Sequence, residues 1–376
     1  MENIQYLLYF FLIYYSIIIS YFNFSLYSNP LRNKFSPNFV SVIIAVKNGS
    51  NSLPRLLQSL IDQSYNNKIE YIIVDDNSTD NSLNIIKKYQ IKDSRIIVTS
   101  SKYGNPILSH KKKALDAGIK ISNGEILLFS DVDCILPNDW VSNMISSFSD
   151  NIHYIVGYSE VPHKYNLVTL FQKIDFAMLM NATNAAINKN LYWACSGQNQ
   201  AYKKSIYFQN NGFNEISKLL QGDDTLFLQL SNKNITNFKA VFSFNKSNKV
   251  FCRQEKQIIP FLLQRIRWAG DAIHSWKFNK SLFFMSVSTF FTNFILALNI
   301  LLYFLKFISI KQLILPFFIK FIIDFSLAVK GMKVHNNRYS IFEFIYWFLI
   351  QPFYIIIIGL GSLFQNQISW KGVKNN

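Results

Sequence analysis

The chain has 376 residues, enough for two domains, and half of them are hydrophobic, including 35 phenylalanines. Its formal net charge of +16 fits an anionic membrane surface, a nucleic acid or simple compositional drift. We favour the membrane and expect no nucleic-acid partner, because the sequence carries no nucleic-acid motif and its basic residues cluster beside apolar segments. The three cysteines form no Cys-x-x-Cys pair, which argues against a disulfide framework and agrees with a reducing compartment.

Residues 1–27 are predicted to form an N-terminal transmembrane helix. The run from Gln5 to Phe24 has no charged residue and about the twenty residues that cross a bilayer core. A cleaved signal peptide would need a basic start and a small-residue cleavage site, and this segment has neither. Because Arg32 and Lys34 follow the run, the positive-inside bias predicts that the chain beyond it lies in the cytosol.

Residues 38–280 have the alternating pattern of an α/β domain. Apolar strands are predicted at 40–46, 70–74, 95–99 and 126–129, and helices open at Ser52 and span 83–89 and 111–121. This alternation is typical of a largely parallel sheet. Open α/β sheets bind their ligands at the carboxyl ends of strands, where this chain repeatedly carries acidic residues.

Residues 281–366 are predicted to form a C-terminal membrane region of two to three helices. The segments 282–305 and 341–364 are long enough to span, although Gln351-Pro352 could interrupt the second. The segment 313–329 carries Lys320 and Asp324, four residues apart, which could pair on one helix face; a re-entrant or interfacial hairpin fits it equally well. A basic loop at 330–338 is expected in the cytosol, which gives four spans with both termini outside.

Asp131-Val132-Asp133 directly follows the apolar strand 126–129 and is the strongest chemical signal in the chain. Two carboxylates delivered to the end of a strand suit Mg²⁺ or Mn²⁺, which keep several waters and take further ligands from substrate phosphates. The alternative interpretation is a turn, since Asp is common there.

Two further acidic pairs have both a functional and a structural interpretation. Asp75 and Asp76 end a strand and could accept hydrogen bonds from a nucleobase and a ribose, or simply form an Asx-turn and helix cap. Asp223 and Asp224 open an apolar helix and could supply a general base, or merely favour the helix N-terminus.

Two basic segments are also candidates. Gln264 and Arg267 fall on one helical face, with Trp268 beside them, and could hold a diphosphate and stack on a sugar; an interfacial helix with Arg and Trp at headgroup level fits as well. Lys111, in a run of three lysines after His110, could meet phosphates, or the run could be a solvated basic face.

In their order and spacing these motifs resemble the family 2 glycosyltransferases, in particular the membrane-bound branch of ceramide glucosyltransferases and cellulose- and hyaluronan-synthase-like enzymes. The resemblance covers about residues 38–280 and rests on 42–48, 74–80, 131–133, 222–224 and 264–268. The segment 196–202 is similar to one that lies near the acceptor pocket in that group, and Trp370-Lys371-Gly372 recurs in bacterial members.

The resemblance implies a GT-A fold, a single Rossmann-like α/β catalytic domain, and a role for each matched residue. Asp75 and Asp76 would contact the nucleoside; Asp131 and Asp133 would bind the diphosphate through Mg²⁺ or Mn²⁺; Asp224 would be the catalytic base with Asp223 beside it; Gln264, Arg267 and Trp268 would close the site. The sequence departs from the family pattern at Lys47, at Asn51 and Ser52, and at His110, which replaces a glycine.

The function implied is inverting transfer of a sugar, with a UDP-hexose as the favoured donor, to a hydroxyl of a lipid or lipid-linked acceptor. The alternative is a processive polysaccharide synthase, which shares the Gln-x-x-Arg-Trp motif. A catalytically dead scaffold or a transporter is disfavoured by the complete set of carboxylates. The expected partners are a nucleotide sugar, a lipid or glycan acceptor and the membrane. The expected location is a bacterial inner membrane, with the catalytic domain cytoplasmic.

Overall fold

The computed structural model describes residues 2–28, 35–163, 166–219, 221–245 and 248–364. The chain packs as two compact units. The α/β unit consists of Ser28–Pro162 and Tyr192–Arg253, and the helical unit of Met1–Tyr27, His163–Leu191 and Gln254–Asn376. Arg32, Lys34 and the Trp370-Lys371-Gly372 motif lie outside the described residues.

The strands of the described residues all belong to the α/β unit, and most of them are mainly buried. In chain order they are β1 (Val40–Val46), β2 (Ile69–Asp75), β3 (Ile96–Ser100), β4 (Ile126–Phe129), β5 (Tyr154–Gly157), β6 (Ser159–Glu160), β7 (Gln200–Lys203), β8 (Ala240–Ser243) and β9 (Val250–Phe251).

The helices divide between the units. They are α1 (Glu2–Ser25), α2 (Leu53–Ile61), α3 (Ser82–Lys92), α4 (His110–Ile121), α5 (Trp140–Ile145), α6 (Leu167–Ile187), α7 (Lys204–Gln209), α8 (Thr225–Asn234), α9 (Ile258–Phe278), α10 (Lys280–Phe304), α11 (Ile310–His335) and α12 (Ile341–Ser362). The α/β unit contains α2 to α5, α7 and α8, and the helical unit contains α1, α6 and α9 to α12.

Within the described residues the α/β unit is built on a seven-stranded sheet of order β3-β2-β1-β4-β7-β5-β8. The first four strands are parallel, as the strand–helix alternation predicts, because each connection crosses over through a helix. β7 runs antiparallel to both β4 and β5, and β8 returns parallel to β5. A separate two-stranded sheet pairs β6 with β9.

The predicted strands and helices of the first half are confirmed to within a few residues. The strands after Phe129 were not predicted, because β5, β7 and β8 have four residues each and too little apolar repetition to be recognised. The 21-residue helix α6 was also missed. Because α6 belongs to the helical unit, the division into compact units differs from the predicted domain range 38–280. The range 38–280 for the catalytic domain stays a prediction.

Among the described residues, three helices of the helical unit are long and apolar enough to cross a membrane: α10, α11 and α12. The described side chains of α1, from Tyr9 to Ser25, form a further apolar helical stretch, and the span predicted for residues 1–27 stays a prediction. Of the two alternatives for 313–329, the hairpin is wrong, since this segment lies inside one continuous helix that begins with a Ser309 capping box. The interruption that Gln351-Pro352 could have caused does not occur, because α12 continues through Pro352.

The basic loop expected at 330–338 is mostly helix. Lys330, Lys333 and His335 occupy the last turns of α11. Asn336 follows as the C-cap residue and has the left-handed conformation that terminates many helices. Basic side chains at this end interact favourably with the helix dipole. Only Arg338 of the four basic residues lies in the connection to α12.

The helical unit encloses a buried polar network around Lys320. Its Nζ lies 2.5 Å from both Asp324 Oδ2 and Gln351 Oε1, and Tyr15 OH donates to Asp324 Oδ1 at 2.7 Å. Lys320 and Asp324 are completely buried, which confirms the pairing predicted from their spacing. The network joins α1, α11 and α12 through groups that are all hydrogen-bonded, so it can specify how these helices pack.

Lys320→Met is expected to destabilise the protein, because it leaves the Asp324 carboxylate buried without its cation, a loss of about 3–5 kcal/mol. The thermal unfolding midpoint of the full-length protein in detergent measures this. Lys311→Met removes an exposed charge from the same helix and should leave the midpoint unchanged. An unchanged midpoint for Lys320→Met would show that the network contributes nothing to stability.

Candidate functional site

The parallel strands β1, β2 and β4 end at one edge of the sheet, and three of the predicted carboxylates, Asp75, Asp76 and Asp131, lie at or just after the ends of β2 and β4. Asp75 is the last residue of β2, and Asp131 follows two residues after Phe129 ends β4. Because β7 is antiparallel to β4 and pairs Gln200 with Phe129, the turn before β7 lies at the same edge. The sheet therefore collects segments from distant parts of the α/β unit at one place.

Lys111, at the first turn of α4, joins two of the predicted acidic motifs. Its Nζ lies 2.9 Å from Asp131 Oδ1 and 2.8 Å from Asp223 Oδ2. The side chain of Asp131 is 31% exposed and that of Asp223 is 8% exposed, so the contact extends from the surface inward. We call Lys111, Asp131, Asp223 and Asp224 the charge cluster.

Asp224 is the N-cap of α8, as the structural interpretation of this pair predicted. Its Oδ1 accepts a hydrogen bond from Thr225 N at 2.6 Å. Its Oδ2 accepts a second one from Gly197 N at 2.9 Å, in the turn before β7. Capping alone uses one carboxylate oxygen, whereas here the second one reaches another segment of the unit.

Gly197 brings backbone directly against the charge cluster. A Cβ at this position would lie 3.0 Å from Lys111 Nζ and 3.2 Å from Asp224 Oδ2. The absence of a side chain thus lets the Gly197 amide donate to Asp224 while the ammonium of Lys111 lies beside it. The resemblance marked the segment around Gly197, but its contact with the acidic pair could not be predicted from the sequence.

Thr225 locks the turn before β7 to α8 and was missed at the sequence level. Its Oγ1 accepts from Cys195 N at 3.1 Å and donates to Cys195 O at 3.0 Å. Gln200 adds a third link, since its Nε2 donates to Asp223 O at 3.4 Å and its Oε1 accepts from Tyr154 OH. A threonine after two aspartates is an unremarkable helix start, so no sequence signal identified it.

Burial and neighbouring charges shift two pKa values in the charge cluster. Burial raises the pKa of Asp224 to about 6, helped by the charge of Asp223 and opposed by Lys111 and the backbone donors of Thr225 and Gly197. Burial by itself would lower the pKa of Lys111, but the carboxylates around it raise that pKa well above its ordinary value. Lys111 therefore stays charged, and Asp224 ionises near neutral pH.

Lys112 does not belong to the solvated face that was the alternative for this run. Lys112 is completely buried, and its Nζ donates to Leu219 O and Gln221 O, just before the Asp223 pair. It fixes the start of α4 against the segment that leads to α8. Neighbouring lysines thus have different roles, Lys112 in the backbone framework and Lys111 in the charge cluster.

Asp75 and Asp76 lie at the same edge but outside the charge cluster. β1 separates β2 from β4, which places Asp75 and Asp131 about 10 Å apart, two strand spacings. Asp75 accepts from Ser78 N at 3.3 Å, the Asx-turn of the structural interpretation, and both aspartates remain partly exposed. They line the end of β2 beside the charge cluster, where a ligand could reach both.

His110 explains one departure from the family pattern. Its φ of 53° lies in the left-handed region, which favours the glycine that the resemblance implies at this position. The pKa of His110 is lowered by burial and by Lys47, and Asp76 opposes this, so these three side chains lie close enough to interact electrostatically. The histidine thus adopts this backbone conformation at a cost in strain and brings an imidazole near Asp76.

Asp133 precedes Cys134, which is buried against Cys252 with 3.8 Å between the two Sγ atoms. Backbone hydrogen bonds between Ile135 and Phe251 hold the same stretch to β9. The residues after Asp131 are therefore anchored on one side by a buried contact that cysteine spacing did not predict.

The donor set at Asp131 and Asp133 fits a divalent metal that shares its ligands with a substrate. The described residues contain no group of three or more His, Cys, Asp or Glu side chains that could hold a metal by themselves. Asp131 already carries a cation, the Lys111 ammonium, and is accessible from solvent. Two carboxylates of this kind suit Mg²⁺ or Mn²⁺ completed by water and phosphate oxygens.

Gln264, Arg267 and Trp268 lie on α9, in the helical unit, and are all partly exposed. The buried arginine of this segment is Arg265, which sequence reasoning passed over. Its guanidinium lies 4.2 Å from the Trp268 ring centroid and 3.5 Å from Asp175 Oδ2. Trp268 is thus held by a cation–π contact from within its own unit.

Residues 41–208 match the family model described as Glycosyl transferase family 2. The matched stretch begins in β1, ends in α7 and includes Lys111, Asp131 and the turn at Gly197. This stretch, a little under half of the chain, is similar to family 2 glycosyltransferases. Lys111 and Asp131 of the charge cluster lie inside it, whereas Asp223 and Asp224 lie beyond its end.

Two curated relatives match part of the chain. Over 116 residues the chain is 38% identical to "UDP-Glc:alpha-D-GlcNAc-diphosphoundecaprenol beta-1,3-glucosyltransferase WfaP" from Escherichia coli, covering 31% of this chain and 41% of the relative. Over 121 residues it is 31% identical to "Undecaprenyl-phosphate 4-deoxy-4-formamido-L-arabinose transferase" from Shewanella sediminis, covering 31% of this chain and 35% of the relative. The chain thus spans well under two thirds of the length of these relatives.

Among solved structures, "Mannosyltransferase PcManGT from Pyrobaculum calidifontis in complex with GDP-Man and Mn2+" matches 96% of this chain and 97% of its own chain. The TM-score is 0.60 at 14% sequence identity, so the likeness concerns the fold. Together with the mixed seven-stranded sheet and the three apolar helices, it confirms the predicted GT-A fold class.

Thr225→Val is expected to release the turn before β7, because it removes both hydrogen bonds to the backbone N–H and C=O of Cys195. Leaving these two groups without a partner costs about 1–3 kcal/mol of stability. Amide hydrogen exchange of a peptide covering residues 195–200 should become faster. Thr225→Ser keeps the hydroxyl and is the matched control. Equal exchange in both variants would show that this side chain does not hold the turn.

Proposed function

We propose that this protein is a membrane-bound inverting glycosyltransferase. It moves a sugar from a nucleotide-diphosphate sugar, with a UDP-hexose as our favoured donor, to a hydroxyl of a lipid or lipid-linked acceptor. The observation that carries the proposal is the charge cluster, in which a buried carboxylate of raised pKa lies beside a solvent-accessible carboxylate suited to a metal.

Asp224 is the base of this proposal. A general base works best when its pKa is near the working pH, and the pKa of Asp224 is about 6. Its two backbone hydrogen bonds fix the carboxylate in place, and Asp223, held by Lys111, keeps a second negative charge beside it. Asp224 would take the proton from the acceptor hydroxyl as that oxygen attacks the sugar.

The donor would bind along the sheet edge. Asp75 and Asp76 are placed to accept hydrogen bonds from the nucleoside, and Lys111 is placed to meet a phosphate. Asp131 and Asp133 would hold Mg²⁺ or Mn²⁺, which neutralises negative charge on the diphosphate. Gln264, Arg267 and Trp268 are proposed, from the family pattern, to contact the diphosphate and the acceptor.

The lipid acceptor and the membrane location have separate support. The names of both relatives contain an undecaprenyl group, a lipid carrier. α10, α11 and α12 have the length and composition of membrane spans, and many of their large apolar side chains are exposed. We place the enzyme in a bacterial inner membrane with its α/β unit in the cytoplasm.

Asp224→Asn is expected to leave nucleotide binding intact while transfer falls by about 10²–10⁴-fold, because the amide cannot accept the proton. In the wild-type enzyme transfer should increase as the pH rises through about 6, where Asp224 loses its proton. Radiolabelled sugar transfer to lipid extract measures both.

The same substitution has an independent readout in stability. The pKa of Asp224 is about 6 in the folded protein and 3.8 in the unfolded chain. Its contribution to stability is therefore fully present below pH 3.8 and is lost as the pH rises through about 6. The thermal midpoint of Asp224→Asn should lack this decline, whereas the exposed-site control Glu215→Gln should retain it. Wild-type turnover in Asp224→Asn would remove Asp224 from the mechanism.

Membranes containing the enzyme are expected to release one nucleotide from one of the UDP-, GDP- or TDP-sugars, and only with Mn²⁺ or Mg²⁺ present. Asp133→Ala should abolish this release, while Asp150→Ala, at an exposed aspartate, should not. The length of the product then separates transfer of a single sugar from polymer synthesis. Turnover by Asp133→Ala without metal dependence would contradict the metal assignment.

A further inference from the structure

Lys111 occupies a position that the proposed metal also needs. Its ammonium contacts Asp131 Oδ1 at 2.9 Å, and Asp131 is one of the two carboxylates available to the cation. Gly197 limits the space on another side, since a Cβ there would lie 3.0 Å from Nζ. The ammonium is therefore confined between carboxylates and backbone.

Two cations on one carboxylate oppose each other. Each lowers the negative potential that binds the other, and at separations of a few ångströms their repulsion is substantial wherever water is partly excluded. Asp131 is 31% exposed, so a divalent ion can approach it, but Lys111 already neutralises it. The Lys111–Asp131 contact and a metal on Asp131 are thus competing states.

The backbone around Lys111 is fixed, while its side chain can move. The adjacent Lys112 is completely buried and anchors α4 through the carbonyls of Leu219 and Gln221. The side chain of Lys111 remains 24% exposed and has a second partner, Asp223, 2.8 Å from Nζ. Lys111 can therefore leave Asp131 without losing its deeper ion pair and without a shift of the helix.

We propose that Lys111 is an exchangeable counter-ion, which neutralises Asp131 in the free enzyme and leaves it when the divalent metal binds with the donor. This inference rests on the proposed function, because it takes Asp131 as a metal ligand. It adds a consequence: the free enzyme holds metal weakly, and metal and nucleotide bind together. A cation is thus present beside Asp131 and Asp223 both before and after the donor arrives.

The test is Mn²⁺ binding to the full-length enzyme in detergent, measured from the electron paramagnetic resonance signal of free Mn²⁺, with and without UDP. Without UDP, Lys111→Gln should bind Mn²⁺ about tenfold more tightly than wild type, because the competing charge is gone. Lys111→Arg keeps the charge and should bind weakly, like wild type. Lys113→Gln removes a charge two residues further along α4 and is the matched control.

An Mn²⁺ affinity of Lys111→Gln equal to or below that of wild type would overturn the exchange, even if UDP-dependent binding and sugar transfer were intact in wild type. Absence of Mn²⁺ binding in every protein, with and without UDP, would overturn both the metal assignment and the exchange. If Lys111→Gln does not fold, Lys111→Gln with Asp223→Asn removes one charge of each sign, and it should bind Mn²⁺ about tenfold more tightly than Asp223→Asn alone, the variant that lacks only the carboxylate.

Discussion

Repulsion among carboxylates collected at one sheet edge is the constraint on which the α/β unit depends. Asp131 and the adjacent pair Asp223 and Asp224 come from two distant segments, and the three would repel one another if each were ionised without compensation. The ammonium of Lys111 and the backbone amides of Gly197 and Thr225 offset this repulsion. They do not offset it fully, because burial and the charge of Asp223 still raise the pKa of Asp224 to about 6.

The antiparallel strand β7 makes this compensation possible. A purely parallel sheet would bring only strand ends to the edge, whereas β7 begins there and carries the Gly197 turn with it. Gly197 then donates to Asp224, and Thr225 and Gln200 tie the same turn to α8. Positioning of the candidate base therefore depends on a four-residue strand with almost no signature in the sequence.

The sequence was sufficient for the parallel half of the sheet and for the carboxylates at its edge, because long buried strands and acidic strand ends have a direct physical pattern. It was insufficient wherever a role depends on distant contacts. Lys111 and Lys112 are indistinguishable in a run of lysines, yet one neutralises Asp131 and the other holds backbone carbonyls. Arg265 and Arg267 likewise differ only in which helix face is buried. The roles of Asp75, Asp131, Asp133 and Asp224 in donor binding and catalysis stay predictions.

Lys320 and Lys111 show how burial separates a structural lysine from a candidate functional one. Lys320 is completely enclosed, and its ammonium and the Asp324 carboxylate have protein partners within one closed network. Any exchange of ligand there would leave a buried charge unpaired, which is prohibitively costly. Lys111 contacts carboxylates that range from buried to accessible, so solvent, metal or phosphate can replace one partner while the other remains. Partial exposure, rather than the presence of an ion pair, is what makes Lys111 suited to chemistry.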